Sequence, residues 1–408
     1  MPSLLLSKLR SMTIYRRLLE KPVLHAFCEL LSADDVVTFC DRYGVFCATL
    51  HATPAPHSLA QAIAADILTD DNPFSSACSA ERHPDSALFA AAKRDLSILC
   101  EASRFTLSDL LDTISFDEVP DLSEWNTEAP AAPLDSDDWG LQVEDIAAYH
   151  ARFGCGRFAQ HRAFLWRAGR LIPVEHPDPI RLHNLKSYEY QRRIAIDNTL
   201  AFLNGFEANN ILFYGDRGTG KSSTVKALLN EYAEAGLRMI EVPKEFLREL
   251  PDLTEQIAGL PMKFILFIDD LSFNANDDNF AALKAVLEGG LASRPANVLI
   301  YATSNRRHLL KETFSDRDGD EVHRGDTVQE SVSLSDRFGI SLTFLLPDKQ
   351  HFLEIIGQMA DDAQLTVDRD RLLAAAERWA IQRGGRSPRY ARQFMIDVQA
   401  RLARGEDI

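Results

Sequence analysis

Gly215-Asp216-Arg217-Gly218-Thr219-Gly220-Lys221-Ser222 decides how the rest of this chain is read. The octapeptide fits the Walker A pattern G-x-x-x-x-G-K-[ST], and its flanks fit as well. Ile211-Leu212-Phe213-Tyr214 before it is a short apolar strand. Val225, Leu228, Leu229 and Tyr232 after it recur at helical spacing, so the sequence predicts a helix starting near Lys221. Strand, glycine loop and helix N-terminus together make an anion cradle. Glycines let backbone N–H groups turn inward, and the helix dipole favours negative charge. Gly215 through Ser223 are the expected phosphate contacts, with Lys221 reaching the β- and γ-phosphates. Ser222 is the expected Mg²⁺ ligand, through its hydroxyl. The implied ligand is a nucleoside triphosphate.

Outward from this loop, Phe264-Ile265-Leu266-Phe267-Ile268-Asp269-Asp270 reads as a buried strand ending in two carboxylates. In such a Walker B strand, Asp269 holds Mg²⁺ and its waters, and Asp270 polarises the attacking water. A third apolar run, Asn297–Thr303, leads into Ser304-Asn305-Arg306-Arg307. A polar residue at this strand end faces the γ-phosphate, and Asn305 is the candidate. Leu334-Ser335-Asp336-Arg337-Phe338-Gly339 precedes a further strand, Ser341–Leu346, and Gly385-Arg386-Ser387-Pro388-Arg389 opens the last helix.

In this order of motifs the chain resembles the AAA+ ATPases, and within them a bacterial family known as domain of unknown function 815. The phrases ANNILFYGDRGTGKSSTVKALLNEY, FILFIDDLSF, LKAVLEGG, RPANVLIYATSNRRHL and SLSDRFG carry the resemblance, over about residues 150–400. It implies ATP as the nucleotide, Asn305 as the sensor-1 residue, Arg337 as an arginine finger and Arg389 as the sensor-2 arginine. Leu182–Gln191 resembles the linker that lines the adenine pocket, with Tyr188 near the base and Ser187 where glycine is usual. The usual Walker B ends in Asp-Glu, whereas here the second acid is Asp270. One methylene is about 1.5 Å of reach, and a misplacement near 1 Å is worth roughly 10²-fold in rate. Either the strand end sits closer to the phosphate, or hydrolysis is slow.

The 408 residues carry a net charge of −16, against a uniformly nucleic-acid-binding surface but not against a local basic patch. Six cysteines show no C-x-x-C spacing and read as thiols of a reducing compartment. No apolar run approaches 18 residues, so no membrane span is expected, and the cytoplasm is the expected location. Residues 1–122 are rich in Leu, Ala and Phe at helical spacing and predict a helical domain without a chemical motif. Between 101 and 150, Arg104 stands alone against thirteen Asp or Glu, and 123–150 reads as an acidic, proline-containing linker. The charge then reverses, with nine Arg or Lys against four acids over 151–200. Arg157–Ile172 predicts a β-hairpin turning near Ala168-Gly169, within a basic segment 151–179. Its interleaved arginines and aromatics suit a nucleic-acid grip. They suit better a hairpin that packs its rings on the core and points its arginines to solvent or to the acidic linker.

The expected fold is α/β: a five-stranded parallel sheet flanked by helices over 180–347, a helical lid over 348–408, and the helical N-terminal domain. Lys311–Ser333, polar and long, is expected as either a mobile functional loop or a disordered segment, near a subunit interface or a central pore. The expected activity is Mg²⁺-dependent ATP hydrolysis in a homo-oligomeric ring, acting on a protein or nucleic-acid client. The alternative is a nucleotide-switched loader or adaptor with slow hydrolysis. A small-molecule kinase fits less well: the lid helix with Arg389, Arg337 before the last strand and the lack of an evident acceptor site all speak against it.

Overall fold

Seven strands hydrogen-bond in the order β2-β1-β4-β5-β6-β3-β7. They are β1 Ala163–Arg167, β2 Arg170–Pro173, β3 Ile211–Gly215, β4 Leu237–Glu241, β5 Lys263–Ile268, β6 Val298–Ser304 and β7 Ile340–Phe344. The computed structural model describes residues 2–52, 58–80, 84–112, 120–125, 134–272, 278–288, 295–305 and 337–408. The expected loop 311–333, Asp336 and the proline-containing run 128–133 lie outside the described residues. The chain divides into two compact units, Met1–Gln160 and His161–Ile408.

The parallel five-stranded sheet expected from the sequence is present as β4-β5-β6-β3-β7. Its central strands β5, β6 and β3 are largely apolar because both faces are covered. Ile211, Phe213, Ile265 and Phe267 enter one core with Ala195, Phe202, Val225 and Leu228 of helices Glu189–Leu203 and Lys221–Tyr232. The alternate residues Leu212, Leu266 and Ile268 are also buried. Two further strands come from the basic segment. β1 pairs parallel with β4 and antiparallel with β2, turning at Ala168-Gly169, so the hairpin is the sheet's edge. Arg157–Gln160 is a short helix, where the sequence suggested extended chain.

That edge buries its rings. Phe164 and Trp166 are inaccessible, and Trp166 Nε1 donates to Glu249 Oε2 at 2.8 Å, while Gly169 N donates to the same oxygen at 3.0 Å. The hairpin therefore offers neither ring for stacking on bases. Arg167 and Arg170 face solvent.

Three helices after β7 form the lid: Lys349–Asp362, Arg369–Arg383 and Pro388–Ala403. Asp348, Asp368 and Ser387 cap their N-termini by accepting from His351 N, Arg371 N and Tyr390 N, and Pro388 occupies the first turn of the last helix. Phe352, Ile356, Leu372, Ala376, Phe394 and Val398 close their common core.

The first unit is helical from Pro2–Arg10 to Arg157–Gln160. Phe27, Phe46 and Trp125 form its aromatic centre, with ring centroids 5.6 and 5.3 Å apart for the Phe27–Phe46 and Phe46–Trp125 pairs. Asp95 is fully buried, and its Oδ2 accepts from the backbone N–H groups of Thr13, Ile14 and Tyr15. The acidic stretch departs from the linker expectation here. Leu134, Trp139, Val143 and Ile146 are buried in this unit's core, and Val143–Phe153 is a helix. Asp135, Asp137, Glu144 and Asp145 of the same segment are exposed. The described cysteines are free thiols, with Cys28, Cys78 and Cys100 buried and Cys40, Cys47 and Cys155 half-buried. No helix among the described residues is long and apolar enough to cross a membrane.

Candidate nucleotide-binding site

The sheet order places β6 between β3 and β5, so the glycine loop, the two carboxylates and Asn305 all emerge at the carboxyl ends of adjacent strands. Open α/β sheets bind their ligands at this edge. A cleft of about 1120 Å³ opens there, floored by Arg217 through Thr224 and walled by Asp269, Asp270, Thr303 and Asn305. Tyr188 lines it on one side and Arg389 on another. Gly215 and Asp216 sit behind the loop, and Arg337 is not among the residues that line the cleft.

Backbone geometry dictates the glycines. A Cβ on Gly215 would lie 2.1 Å from the carbonyl oxygen of Phe344, and the residue has φ +131°. Asp216 N donates to that same oxygen at 2.8 Å, and Asp216 Oδ2 accepts from Leu346 N at 2.7 Å. Gly218 has φ +77°, and its missing Cβ leaves room for Ser387 and Arg389 of the lid. Arg389 N donates to Gly218 O at 3.1 Å, so the lid helix begins directly on the glycine loop.

Lys221 is buried and donates to Gly215 O at 2.8 Å, Asp216 O at 2.6 Å and Asn305 Oδ1 at 3.1 Å. Burial holds its pKa below the ordinary lysine value, opposed by the nearby Asp216, Asp270 and Asp269. Ser222 Oγ donates to Asp269 Oδ1 at 2.7 Å. A hydroxyl and a carboxylate brought together as hard oxygen donors fit Mg²⁺. Asp270 has φ +52°, a left-handed conformation that aspartate tolerates better than most residues. Its Oδ1 accepts from Asn305 Nδ2 at 2.5 Å.

Thr303 carried no assignment from sequence, because it reads as one more β-branched strand residue. Its Oγ1 donates to Asp269 Oδ1 at 2.5 Å and accepts from Asp270 N at 2.9 Å. Only its place one residue past the last paired position of β5 and β6, Ile268 opposite Ala302, marks it.

Ser187 and Tyr188 both adopt left-handed backbone, with φ +67° and +61°. Glycine adopts this conformation freely, and serine stands in its place. Tyr188 stacks 4.9 Å from Phe344 and donates its hydroxyl to Leu345 O at 2.6 Å, and burial pushes its pKa up. Arg192, half-buried, donates to the carbonyls of Leu182 and Leu185 and so fixes the preceding turn. Lys186 pairs with Asp362 of the lid at 2.6 Å.

Residues 159–402 match the family described as Protein of unknown function (DUF815). The chain belongs to that family. No curated protein matches it. Among solved structures it is similar to the Thermotoga maritima RuvB Holliday junction branch migration motor, at 18% identity and TM-score 0.39, covering 56% of this chain and 67% of that one. It is also similar to AMPPCP-bound DnaA from Aquifex aeolicus, at 15% identity and TM-score 0.38, covering 55% of this chain and 66% of that one.

Proposed function

We propose that this member of the DUF815 family binds ATP with Mg²⁺ and hydrolyses it in a homo-oligomer, remodelling a protein or nucleic-acid client. One observation carries the reading: Lys221, the Ser222–Asp269 pair and the Asn305–Asp270 pair meet in a single cleft at the end of the parallel sheet. Loop N–H groups and Lys221 would bind the triphosphate, and Arg389 would close the lid on it. Ser222 and Asp269 would hold Mg²⁺, which when bound neutralises phosphate charge. Asp270 would orient the attacking water, with Asn305 fixing its carboxylate. Arg337 lies outside the lining of its own cleft, which favours its service to the site of a neighbouring copy. Free thiols favour the cytoplasm as the compartment.

The slow-switch alternative draws support from Asp270 itself. It is the shorter acid, and in this structure it is engaged by Asn305. Steady-state ATPase with and without single-stranded DNA, RNA or an unfolded protein separates the two readings. A remodeller is stimulated by its client, whereas a loader turns over slowly throughout. Lys221→Ala should abolish tight binding of a fluorescent ATP analogue, because the γ-phosphate loses its main cation. Binding at parental affinity would refute the nucleotide site.

A further inference from the structure

We infer that Thr303 is the positioning residue of the Walker B turn, holding the carboxylate of Asp269 and the backbone N–H of Asp270. Its hydroxyl is the only side chain among the described residues that hydrogen-bonds to Asp269 and Asp270 together. The inference rests on the Mg²⁺-ATP reading of the cleft and assigns within it a role that the motifs do not.

The hydrogen bonds converge on Asp269 Oδ1. Asp270 N donates to Thr303 Oγ1 at 2.9 Å and, at the longer 3.2 Å, to Asp269 Oδ1, while Thr303 Oγ1 and Ser222 Oγ both donate to that same Asp269 oxygen. Bonds linked this way polarise one another. The backbone adds a second tie, since Leu271 N donates to Thr303 O at 2.7 Å. Thr303 thus grips the turn from Asp269 to Leu271 with its side chain and its carbonyl. Asp270 sits at φ +52° inside that turn, a conformation that persists only where surrounding contacts hold it. Thr303 is 2% exposed, so water has little room to replace its hydroxyl. With Oγ1 as its anchor, Asp269 presents its carboxylate beside Ser222, and Asp270 presents its own to Asn305.

Valine keeps the shape of threonine and removes both the donor and the acceptor. In the full chain, Thr303→Val should weaken Mn²⁺ binding to the ATP-loaded protein, read by electron paramagnetic resonance, by about ten- to a hundredfold. Turnover should fall to a similar degree, while fluorescent-ATP affinity in EDTA stays within about threefold of the parent, since the phosphate loop is untouched. Thr303→Ser, which restores the hydroxyl without the methyl, should regain both metal affinity and turnover. Should the valine variant fail to fold, Thr303→Ala is read by the same measurements. A valine or alanine variant indistinguishable from an active parent overturns the inference alone. A serine variant as impaired as valine overturns it too, by assigning the effect to methyl packing. A parent that binds neither ATP nor Mn²⁺-ATP removes the functional reading and this inference with it.

Discussion

Asn305 donates its side-chain amide to Oδ1 of Asp270 at 2.5 Å, and its own oxygen accepts from Lys221 at 3.1 Å. One side chain thus separates the acid from the lysine. A γ-phosphate bound at Lys221 would compete with Asn305 for the ammonium, and Asp270 would feel the change through the amide. Asn305→Ala should therefore bind fluorescent ATP nearly as the parent does, yet turn it over about a hundredfold more slowly. A loss of affinity that outweighs the loss of turnover would make Asn305 a ligand-binding residue only.

Asp270→Asn should trap the ATP-bound state, because the amide keeps the left-handed backbone but cannot take a proton. Asp270→Glu tests reach against conformation. If short reach limits the rate, the longer acid retains or raises turnover. If the φ +52° turn governs, glutamate gains nothing and lowers the melting temperature. Single-turnover ATPase and thermal unfolding of the two variants, run side by side, separate these effects.

Arg337→Ala should bind ATP normally and hydrolyse it about 10³-fold or more slowly, the usual worth of an arginine finger. Mixing it with Lys221→Ala, which keeps its arginine but lacks a working loop, should restore part of the activity. ATPase strictly proportional to protein on dilution, with no rescue on mixing, would mean that each chain works alone.

Glu249 holds the sheet edge by accepting from Trp166 Nε1 and Gly169 N at one oxygen. Glu249→Ala strands a buried indole N–H, at a cost of about 1–3 kcal/mol. Denaturant unfolding should register that loss while ATP affinity stays at the parental value. An unchanged midpoint would show that the hairpin is held by apolar packing alone.

His150 is fully buried, with Nδ1 hydrogen-bonded to Gly154 O, and burial holds its pKa below the ordinary 6.5. Below that value the unfolded chain takes up a proton that the folded chain resists. Stability from this group is complete above about pH 6.5 and falls as pH drops toward the lower native pKa. The melting temperature should decline between pH 7.5 and 5.5, and more steeply for the parent than for His150→Phe. Parallel curves for the two proteins would remove His150 as the cause.

The sheet's centre was legible because parallel strands covered on both faces must be apolar throughout, as Phe264–Ile268 and Val298–Ala302 are. The glycine loop's geometry was legible because its glycines and Lys221 answer to backbone constraints that few other residues satisfy. The sheet edge was harder. Arg162, Arg167 and Arg170 suggested a ligand surface, whereas Trp166 between them was committed to Glu249, 83 residues onward, a pairing no local pattern records. Residues 134–150 misled in the opposite sense: counting carboxylates hid Trp139 and Ile146, which anchor the segment in the first unit. Thr303 was invisible because its role depends on which strands are neighbours, and sheet order is not a local property.

Phe344 O stands where a side chain at position 215 would have to go, and it also accepts from Asp216 N. Any gene copy carrying a residue other than glycine there would displace the edge strand as well as the loop. Position 215 therefore ties the geometry of β7 to that of the glycine loop, and one extra carbon there disturbs both at once.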